Sequence, residues 1–324
     1  MGKIFSFRYA LLLSILLFSV LHVNSINQKC DKPNDAIVIV KDSIKDSSIV
    51  FTPSPILNDK VLNVLGVNIT LGESADSIQD KLGTPNRIAK TEMDFDYYVY
   101  NNNYSKLLFV AVKDNMVVGF YTDSIDFNYL GITPGSSLDK VNRSLKVDLA
   151  MDYLLTHSTD IYTVHVFMDE IGNHGVTGIS LLTTNLKENG YTDEIMRDIE
   201  LLVYDLTNSI RKRNGIPILS WSSTAAKAAY KHSIDMAENR YFDHYNLYNK
   251  NPGDRLKEEG IYYQSVGENI IAGYKTAIIS SHAWFNSPEH RDNILNKNYR
   301  NLGVGFTYQE DSMFKTYITQ KFYR

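Results

Sequence analysis

The stretch AWFNSPEHRDNILNKNYRNLGVGF, residues 283–306, carries the clearest structural pattern in the chain. It predicts the end of one helix, a second short helix whose start is set by Ser287 and Pro288, and then a strand. The His-Arg-Asp triplet at 290–292 also opens the catalytic loop of protein kinases. The kinase interpretation fails, because no Asp-Phe-Gly triplet occurs in the residues that follow. The stretch therefore predicts a helix–helix–strand segment and not the catalytic loop of a kinase.

The whole of residues 191–324 has the same order, with helices first and strands last. Predicted helices begin at Thr192 and at Ser222 or Ser223, where side-chain oxygens suit a helix start. Shorter helices are predicted over 252–260 and 276–287, and strands over 301–308 and 313–323. The pattern predicts helices packed on a mainly antiparallel sheet.

Residues 60–185 contain a weak internal duplication. LGVNITLGESADSIQDKL (65–82) is similar to LGITPGSSLDKVNRSL (130–145), and each copy predicts a Gly-Ser turn followed by an amphipathic helix. A pair of strands follows each helix; the pairs are 107–112 with 116–121, and 161–168 with 176–182. This half is therefore predicted to be two helix–hairpin copies forming one α+β domain, and the chain as a whole belongs to the α+β class.

The N-terminus predicts export. Residues 9–23 are nearly all apolar, which is shorter than a bilayer span and typical of a signal peptide. We therefore assign residues 1–25 to a signal peptide or signal-anchor and the polar, proline-containing residues 26–55 to a linker. Cys30 is the single cysteine, so no internal disulfide forms. Such an exported chain fits a bacterium, with membrane attachment only through the N-terminal segment.

Charge and motif content exclude several function classes. The net charge is −4, so no overall positive field attracts nucleic acid. The chain contains no H-E-x-x-H, no G-x-S-x-G and no Walker A motif. The Gly303-Val304-Gly305 run lacks the third glycine of a dinucleotide loop and lies in a strand pattern.

Three residues are candidates for a functional site, namely His244, Glu268 and His290. Two imidazoles and a carboxylate form the ligand set of an open metal site, in which water completes the coordination. Without a metal, the same three side chains could hold one another by hydrogen bonds. His232 is predicted to be a core histidine because it lies on the buried face of its helix, and no role is assigned to His282.

The motifs HSIDMAENRYFDH, VGENIIAG, AWFNSPEHRDNILNKNYRNLGVGF and YITQKF together resemble the CAP superfamily. This superfamily includes cysteine-rich secretory proteins, insect venom allergens and plant pathogenesis-related proteins. The likeness is to its disulfide-free bacterial branch and defines a CAP (SCP-like) domain over 191–324. DKLGTPNRI and FDYYVYNNNYSKLLFVAVKDNMVVGFYT resemble the CAP-associated domain that precedes such modules, which we assign to 56–190.

The resemblance implies an α-β-α sandwich with a central cavity that two histidines and two glutamates line in many members. By motif, His244, Glu268 and His290 match three of these four positions. The second glutamate usually follows the helix tryptophan, but no acid follows Trp284 here, and Glu289 does not match that position. The resemblance further implies that His290 points into the cavity from the start of a short helix.

Several neighbours of the three site residues are expected to have structural roles. Asn269 is expected to hold the Glu268 loop by side-chain hydrogen bonds, and Trp284 to lie in the core. Arg291 and Asp292 are expected to form a surface or local ion pair.

Two functions are consistent with this site. The first is a secreted or cell-surface binding module whose cavity holds a divalent metal such as Zn²⁺, or a small ligand, and whose surface meets cell-wall or protein partners. The second is a peptidase-like hydrolase, in which a metal held by His244, His290 and Glu268 activates water, or Glu268 acts as a general base. The missing second acid and the lack of a clear nucleophile favour binding.

Overall fold

The structure is a computed structural model that describes residues 59–324. The predicted signal segment (1–25) and Cys30 lie outside the described residues, as does the linker (26–55). All the described residues lie in one compact unit. Within the described part of the chain, none of the helices combines the length and the apolar character that crossing a bilayer requires.

The first half of the compact unit is built on a seven-stranded antiparallel sheet. A small hairpin of β1 (Val61–Val64) and β2 (Val67–Thr70) precedes it. The seven strands of the sheet are β3 (Arg87–Lys90), β4 (Asp96–Tyr100), β5 (Leu108–Lys113), β6 (Met116–Thr122), β7 (Leu154–Ser158), β8 (Tyr162–Met168) and β9 (Val176–Thr183). The strand order is β3-β4-β5-β6-β9-β8-β7. The central strand β6 and its neighbour β9 bring Tyr121 opposite Ser180.

Both helices predicted in this half are present. They are α1 (Ala75–Leu82) and α2 (Leu138–Leu145), and each is capped by the side chain of a serine, Ser74 or Ser137. Both predicted hairpins, β5–β6 and β8–β9, are confirmed. Asp114 and Asn115 adopt positive φ between β5 and β6, as a tight two-residue hairpin turn requires. The prediction did not include β3, β4 or β7, because their residues show no clean alternation.

The second half places helices around a four-stranded sheet. Its helices are α3 (Asp193–Arg213), α4 (Ser223–Glu238), α5 (Pro252–Glu258), α6 (Ala277–Phe285) and α7 (Pro288–Leu295). Its strands are β10 (Ser220–Trp221), β11 (Val266–Ala272), β12 (Asn301–Tyr308) and β13 (Thr316–Tyr323), in the order β10-β12-β13-β11. All neighbouring strands are antiparallel except β10 and β12. The predicted antiparallel sheet with helices is confirmed.

Strand β12 shows why this half is an α-β-α sandwich. Leu302, Val304 and Phe306 lie in the same hydrophobic cluster as the apolar face of α3. The glycines between them face α4, where a Cβ on Gly303 would lie 2.1 Å from the Ala226 backbone nitrogen. The Gly-Val-Gly run therefore lets a helix pack directly against a strand, and one helix layer covers each face of the sheet.

The two halves share a hydrophobic core. One face of the seven-stranded sheet packs against α1 and α2. Its other face contributes Tyr121 and Phe167 to a cluster that also contains Leu202 of α3 and Ile278 of α6. Side chains of adjacent positions in a strand point to opposite faces, so this sheet is covered on both sides. The second half is therefore held in a fixed place against the first.

Candidate functional site

The centre of the site is the carboxylate of Glu268, which lies within β11. It is paired with Lys321 of β13 in the antiparallel register. The side chain of Glu268 is 1% exposed, and Arg255 Nη2 donates to both of its oxygens, at 3.0 and 2.9 Å. Lys321 Nζ forms an ion pair with Oε2. Glu268, which was expected to lie in a loop, is thus a buried strand residue, and its carboxylate is held by two cations.

These contacts decide the ionisation of the group. Burial by itself would raise the pKa of Glu268, but the charge of Lys321 and the hydrogen bond from His244 outweigh it and hold the pKa well below its usual range. Burial lowers the pKa of Lys321 to about 8, although Glu268 opposes that shift. At neutral pH the carboxylate is therefore ionised and the lysine is still protonated.

His244 is the exposed member of the site. It lies in the connection between α4 and α5, and its Nδ1 is 2.8 Å from Glu268 Oε1. Its side chain is 45% exposed. Because a carboxylate only accepts, the ring is assigned the tautomer in which Nδ1–H donates to Glu268. In the neutral form of the ring Nε2 then remains as an acceptor.

His290 lies in the first turn of α7, as predicted, and its ring is partly buried. Its Nδ1 is 2.9 Å from the hydroxyl oxygen of Ser287, three residues earlier. Burial lowers the pKa of His290, and the neighbouring His244 lowers it further. No hydrogen bond within the described residues joins His290 to Glu268. The structure therefore joins two of the three predicted residues directly and keeps the third nearby.

Asn269 fixes the position of His290 relative to the sheet. Its Nδ2 donates to the backbone carbonyl of His290 at 3.1 Å and to Gln320 Oε1 at 3.0 Å. Its Oδ1 accepts from Asn293 Nδ2 at 2.9 Å. The predicted tethering role of Asn269 is confirmed, although the segment that it tethers is a strand. The first turn and the middle of α7 are thus fastened to β11 by amide side chains.

His232 requires a correction. It is buried, as predicted for a core histidine, with 1% exposure. However, its Nε2 lies 3.8 Å from Glu268 Oε1 and 3.1 Å from the Asp243 carbonyl oxygen. Burial lowers the pKa of His232 to about 3, although Glu268 opposes this shift, so the ring is neutral. His232 of α4 therefore lies close to the Glu268 carboxylate. The spacing of apolar residues along α4 did not indicate this contact.

The sequence analysis missed Arg255 and Lys321, the two cations of the site. Arg255 lies in a helix of seven residues rich in charge, where a charged residue ordinarily faces water. The position of Lys321 between Gln320 and Phe322 in the last strand gave a weak indication that it has a buried partner. All three of these strand residues are fully buried in the structure. A lysine in the middle of a buried strand needs a buried partner, here Glu268.

The donor set fits a metal poorly. Among residues 59–324, no group of three or more His, Cys, Asp and Glu side chains is arranged to hold a metal ion. Both oxygens of Glu268 are already bonded to Arg255 or Lys321. A divalent cation would have to displace a cation that the buried carboxylate needs. The predicted divalent ion at His244, Glu268 and His290 therefore stays a prediction, and no chemical step is derived from it.

The Arg291 prediction was wrong. Its guanidinium donates to both oxygens of Asp169, at 2.6 and 3.1 Å, and does not pair with Asp292. Asp169 directly follows β8 in the first half of the chain. Next to it, Asn286 donates to the Met168 carbonyl oxygen at 3.0 Å and accepts from a backbone N–H at 2.7 Å. The segment after the helix tryptophan, where the resemblance places a second acid, thus joins the two halves.

His282, to which no role was assigned, also lies at this junction. It is fully buried, its ring stacks on Phe167 with centroids 4.0 Å apart, and its Nε2 is 2.9 Å from the Tyr121 hydroxyl. Trp284 is buried, as predicted, and donates to the Ile270 carbonyl oxygen at 3.2 Å. Helix α6 thus supplies both a core residue and an interdomain contact.

Comparison with known proteins places this architecture in a family. The chain belongs to the cysteine-rich secretory protein (CAP) family, whose sequence profile matches residues 204–322. Residues 71–191 match the CAP-associated N-terminal profile. The resemblance found in the sequence motifs is therefore confirmed for both halves.

Two Bacillus subtilis proteins are similar to this chain, one over most of its length and one over about a third of it. A Bacillus subtilis (strain 168) protein, described as the uncharacterized membrane protein YlbC, is 30% identical over 289 residues, which are 78% of this chain and 82% of that protein. The uncharacterized protein YkwD of the same organism is 42% identical over 107 residues, which are 33% of this chain and 42% of that protein.

Two solved structures share the fold. An extracellular protein containing an SCP domain from Bacillus anthracis superposes with a TM-score of 0.68 at 24% identity, covering 89% of this chain and 100% of that chain. A cysteine-rich secretory protein from Staphylococcus aureus gives a TM-score of 0.62 at 17% identity, covering 82% of this chain and 95% of that chain.

Proposed function

We propose that the protein is an extracytoplasmic binding module whose ligand contacts the exposed edge of His244. The observation that carries this proposal is the hydrogen bond of 2.8 Å between His244 Nδ1 and Glu268 Oε1. It fixes a half-exposed imidazole against a buried carboxylate whose charge is already compensated. The site therefore offers an oriented acceptor to a partner outside the cytoplasm, which is a cell-wall component, a protein or a small molecule.

The electrostatics of Glu268 support binding over hydrolysis. A general base works best when its pKa lies near the operating pH. Lys321 and Arg255 stabilise the ionised form of Glu268 and hold its pKa well below the usual range of a carboxyl, although burial opposes them. Glu268 is therefore a weak base whose main contribution is to orient His244.

The loop around His244 offers surface to a ligand. Tyr245 is 52% exposed, Leu247 63% and Tyr248 81%. Tyrosine rings combine an apolar face with a hydrogen-bonding hydroxyl, which makes them common contact residues in binding surfaces. These side chains follow His244 in the same loop, so a ligand at the histidine also meets them.

Two observations support the extracytoplasmic location. Residues 9–23 have the composition and length of a signal segment. The Bacillus anthracis protein of the same fold is described as extracellular, and YlbC is described as a membrane protein. Both descriptions agree with a chain that acts outside the cytoplasm.

Co-sedimentation with purified Gram-positive cell walls tests the binding proposal. We expect the full-length protein to sediment with the walls and His244→Ala to reduce the bound fraction at least fivefold. His157→Ala is the matched control, because His157 lies on the edge strand β7 in the other half, and it should bind as the wild type does. Equal binding of both variants would contradict a ligand at His244.

One contact favours the alternative function of a hydrolase. The Ser287 hydroxyl lies 2.9 Å from His290 Nδ1, a distance at which an imidazole can accept a serine proton. A peptide library incubated with the full-length protein tests this alternative. We expect no cleavage. Cleavage that disappears in Ser287→Ala or Glu268→Ala would establish the hydrolase and replace the binding proposal.

A further inference from the structure

A pocket, the inner cavity, lies between the two halves, and His244 is not among its lining residues. It has a volume of about 190 Å³ and is walled by one face of the seven-stranded sheet and by α3 and α6. Its apolar wall contains Phe95, Phe167, Leu182, Ile199 and Leu202. A water molecule occupies about 30 Å³ of liquid, so the space has the volume of about six waters and accommodates a ring-sized organic group.

Three polar side chains of this wall have no hydrogen-bond partner in the described part of the chain. They are the hydroxyl of Tyr97, the ring of His165 and the hydroxyl of Ser180. Tyr97 and Ser180 are each 6% exposed, and His165 is opposite Ser180 in the register of β8 and β9. These polar atoms face open space and are not sealed in the core, so water in the pocket can satisfy them and a ligand with polar groups can replace that water.

An outer cleft of about 360 Å³ adjoins the inner cavity. Glu92, Glu188 and Lys275 line both spaces, which makes them the boundary between the two. The wall of the outer cleft includes the rings of Tyr191 and Tyr308, which stack with centroids 4.4 Å apart. A ligand at the boundary would therefore reach an apolar space on one side and an open, aromatic and charged cleft on the other.

Glu92 is the boundary carboxylate that has no ion-pair partner among the described residues. Lys275 forms its ion pair with Glu188 at 2.7 Å, and Lys315 of the outer cleft pairs with Glu310. Within residues 59–324, no lysine or arginine forms an ion pair with Glu92. Burial raises the pKa of Glu92 to about 7 and Glu188 adds to this effect, while a backbone N–H and the charge of Lys275 oppose it. A cation supplied by a ligand would therefore stabilise the ionised carboxylate.

We propose that the inner cavity and the outer cleft form one binding site for a small organic amine, with its apolar group in the cavity and its ammonium at Glu92. The apolar wall buries the hydrocarbon part, and Tyr97, His165 and Ser180 provide hydrogen-bonding groups around it. This site is separate from the His244 site and uses residues of both halves of the chain.

Three probes of the same shape test the proposal on the full-length protein: 4-methylbenzylamine, p-xylene and 4-methylbenzoate. They differ only in a cationic, neutral or anionic head, and saturation-transfer NMR titration measures their affinities. We expect the amine to bind at least tenfold more tightly than p-xylene and the benzoate to bind least. Absence of binding by all three would show a cavity filled by water only and would overturn the proposal, as would equal affinities.

Variants locate the binding. Glu92→Gln keeps the size of the side chain, and we expect it to reduce amine affinity at least tenfold while p-xylene affinity changes less than twofold. Glu258→Gln is the matched control, since that carboxylate pairs with Lys250 and lines neither space, and it should change amine affinity less than twofold. Ser180→Leu fills the cavity and should weaken both the amine and p-xylene. An unchanged amine affinity in Glu92→Gln would overturn the proposal even if Ser180→Leu does not fold.

Discussion

Arg291 donates two hydrogen bonds to the Asp169 carboxylate, at 2.6 and 3.1 Å, across the junction between the two halves of the chain. The arginine belongs to the His-Arg-Asp triplet at 290–292, next to the histidine of the candidate site. Its guanidinium also lies over the Phe285 ring, 3.9 Å from the centroid. The short helix that carries His290 is therefore anchored to the first half by the following residue, Arg291.

This anchor gives the first prediction. Arg291→Ala removes a bidentate pair whose two side chains are 18% and 5% exposed. We expect a loss of about 2–3 kcal/mol in the free energy of unfolding, because the mostly buried Asp169 loses its charged donor. Urea unfolding at neutral pH measures the loss.

Asp292→Asn is the control for Arg291→Ala. Asp292 is the neighbouring residue of the same triplet and is exposed, so we expect a change within about 0.5 kcal/mol. Equal losses in the two variants would show that the pair with Asp169 does not stabilise the junction.

The buried His282 gives the second prediction. His282→Ala removes the ring that stacks on Phe167 and bonds to the Tyr121 hydroxyl. We expect a loss of about 3 kcal/mol in the free energy of unfolding, because a buried ring is replaced by a cavity and Tyr121 loses its partner.

Ser281→Ala is a matched control for His282→Ala on the preceding residue. Ser281 is 2% exposed, and its hydroxyl has no hydrogen-bond partner among the described residues. Removing an unsatisfied buried hydroxyl costs little, so we expect a change of less than about 0.5 kcal/mol or a slight stabilisation. A larger loss in Ser281→Ala than in His282→Ala would refute the assigned contacts.

The third prediction concerns acid. Burial holds the pKa of His282 well below 6.5 in the folded chain, and the neighbouring Arg213 contributes. Below about pH 6.5 the unfolded chain therefore binds a proton at this histidine that the folded chain does not. The free energy of unfolding should fall as the pH falls from about 6.5 to 5, by up to about 1.4 kcal/mol per pH unit from this residue.

The comparison of variants isolates that contribution. His282→Ala should show a shallower fall of stability between pH 6.5 and 5 than the wild type, measured by urea unfolding at each pH. Other buried histidines, including His290, keep part of the slope. Ser281→Ala, which removes no titratable group, should keep the wild-type slope, and an identical slope in all three proteins would rule out a neutral, buried His282.

The fourth prediction concerns zinc. Because Arg255 and Lys321 already compensate Glu268, we expect calorimetric titration of Zn²⁺ to give equal heats for the wild type, His244→Ala and His290→Ala. A wild-type heat that disappears in either histidine variant would show that the ion binds at that histidine, and it would restore the metal site that the sequence predicts.

Local patterns of the sequence determined most of the fold. The spacing of apolar residues and the serine and threonine caps located the helices, since these features act within one or two turns. The two hairpins of the first half were located by alternation around a turn. The motifs around His244, Glu268 and His290 indicated the family, and the incomplete set of acids after Trp284 was visible in the sequence.

Only the tertiary structure decided which side chains meet. Lys321 and Arg255 reach Glu268 from another strand and a helix, and Arg291 finds Asp169 more than a hundred residues away in the chain. A pattern along one element shows which residues face inward, but not which residue of another element they face. Those pairings depend on strand register and on helix packing, which are settled by the burial of the whole core and not by any local stretch.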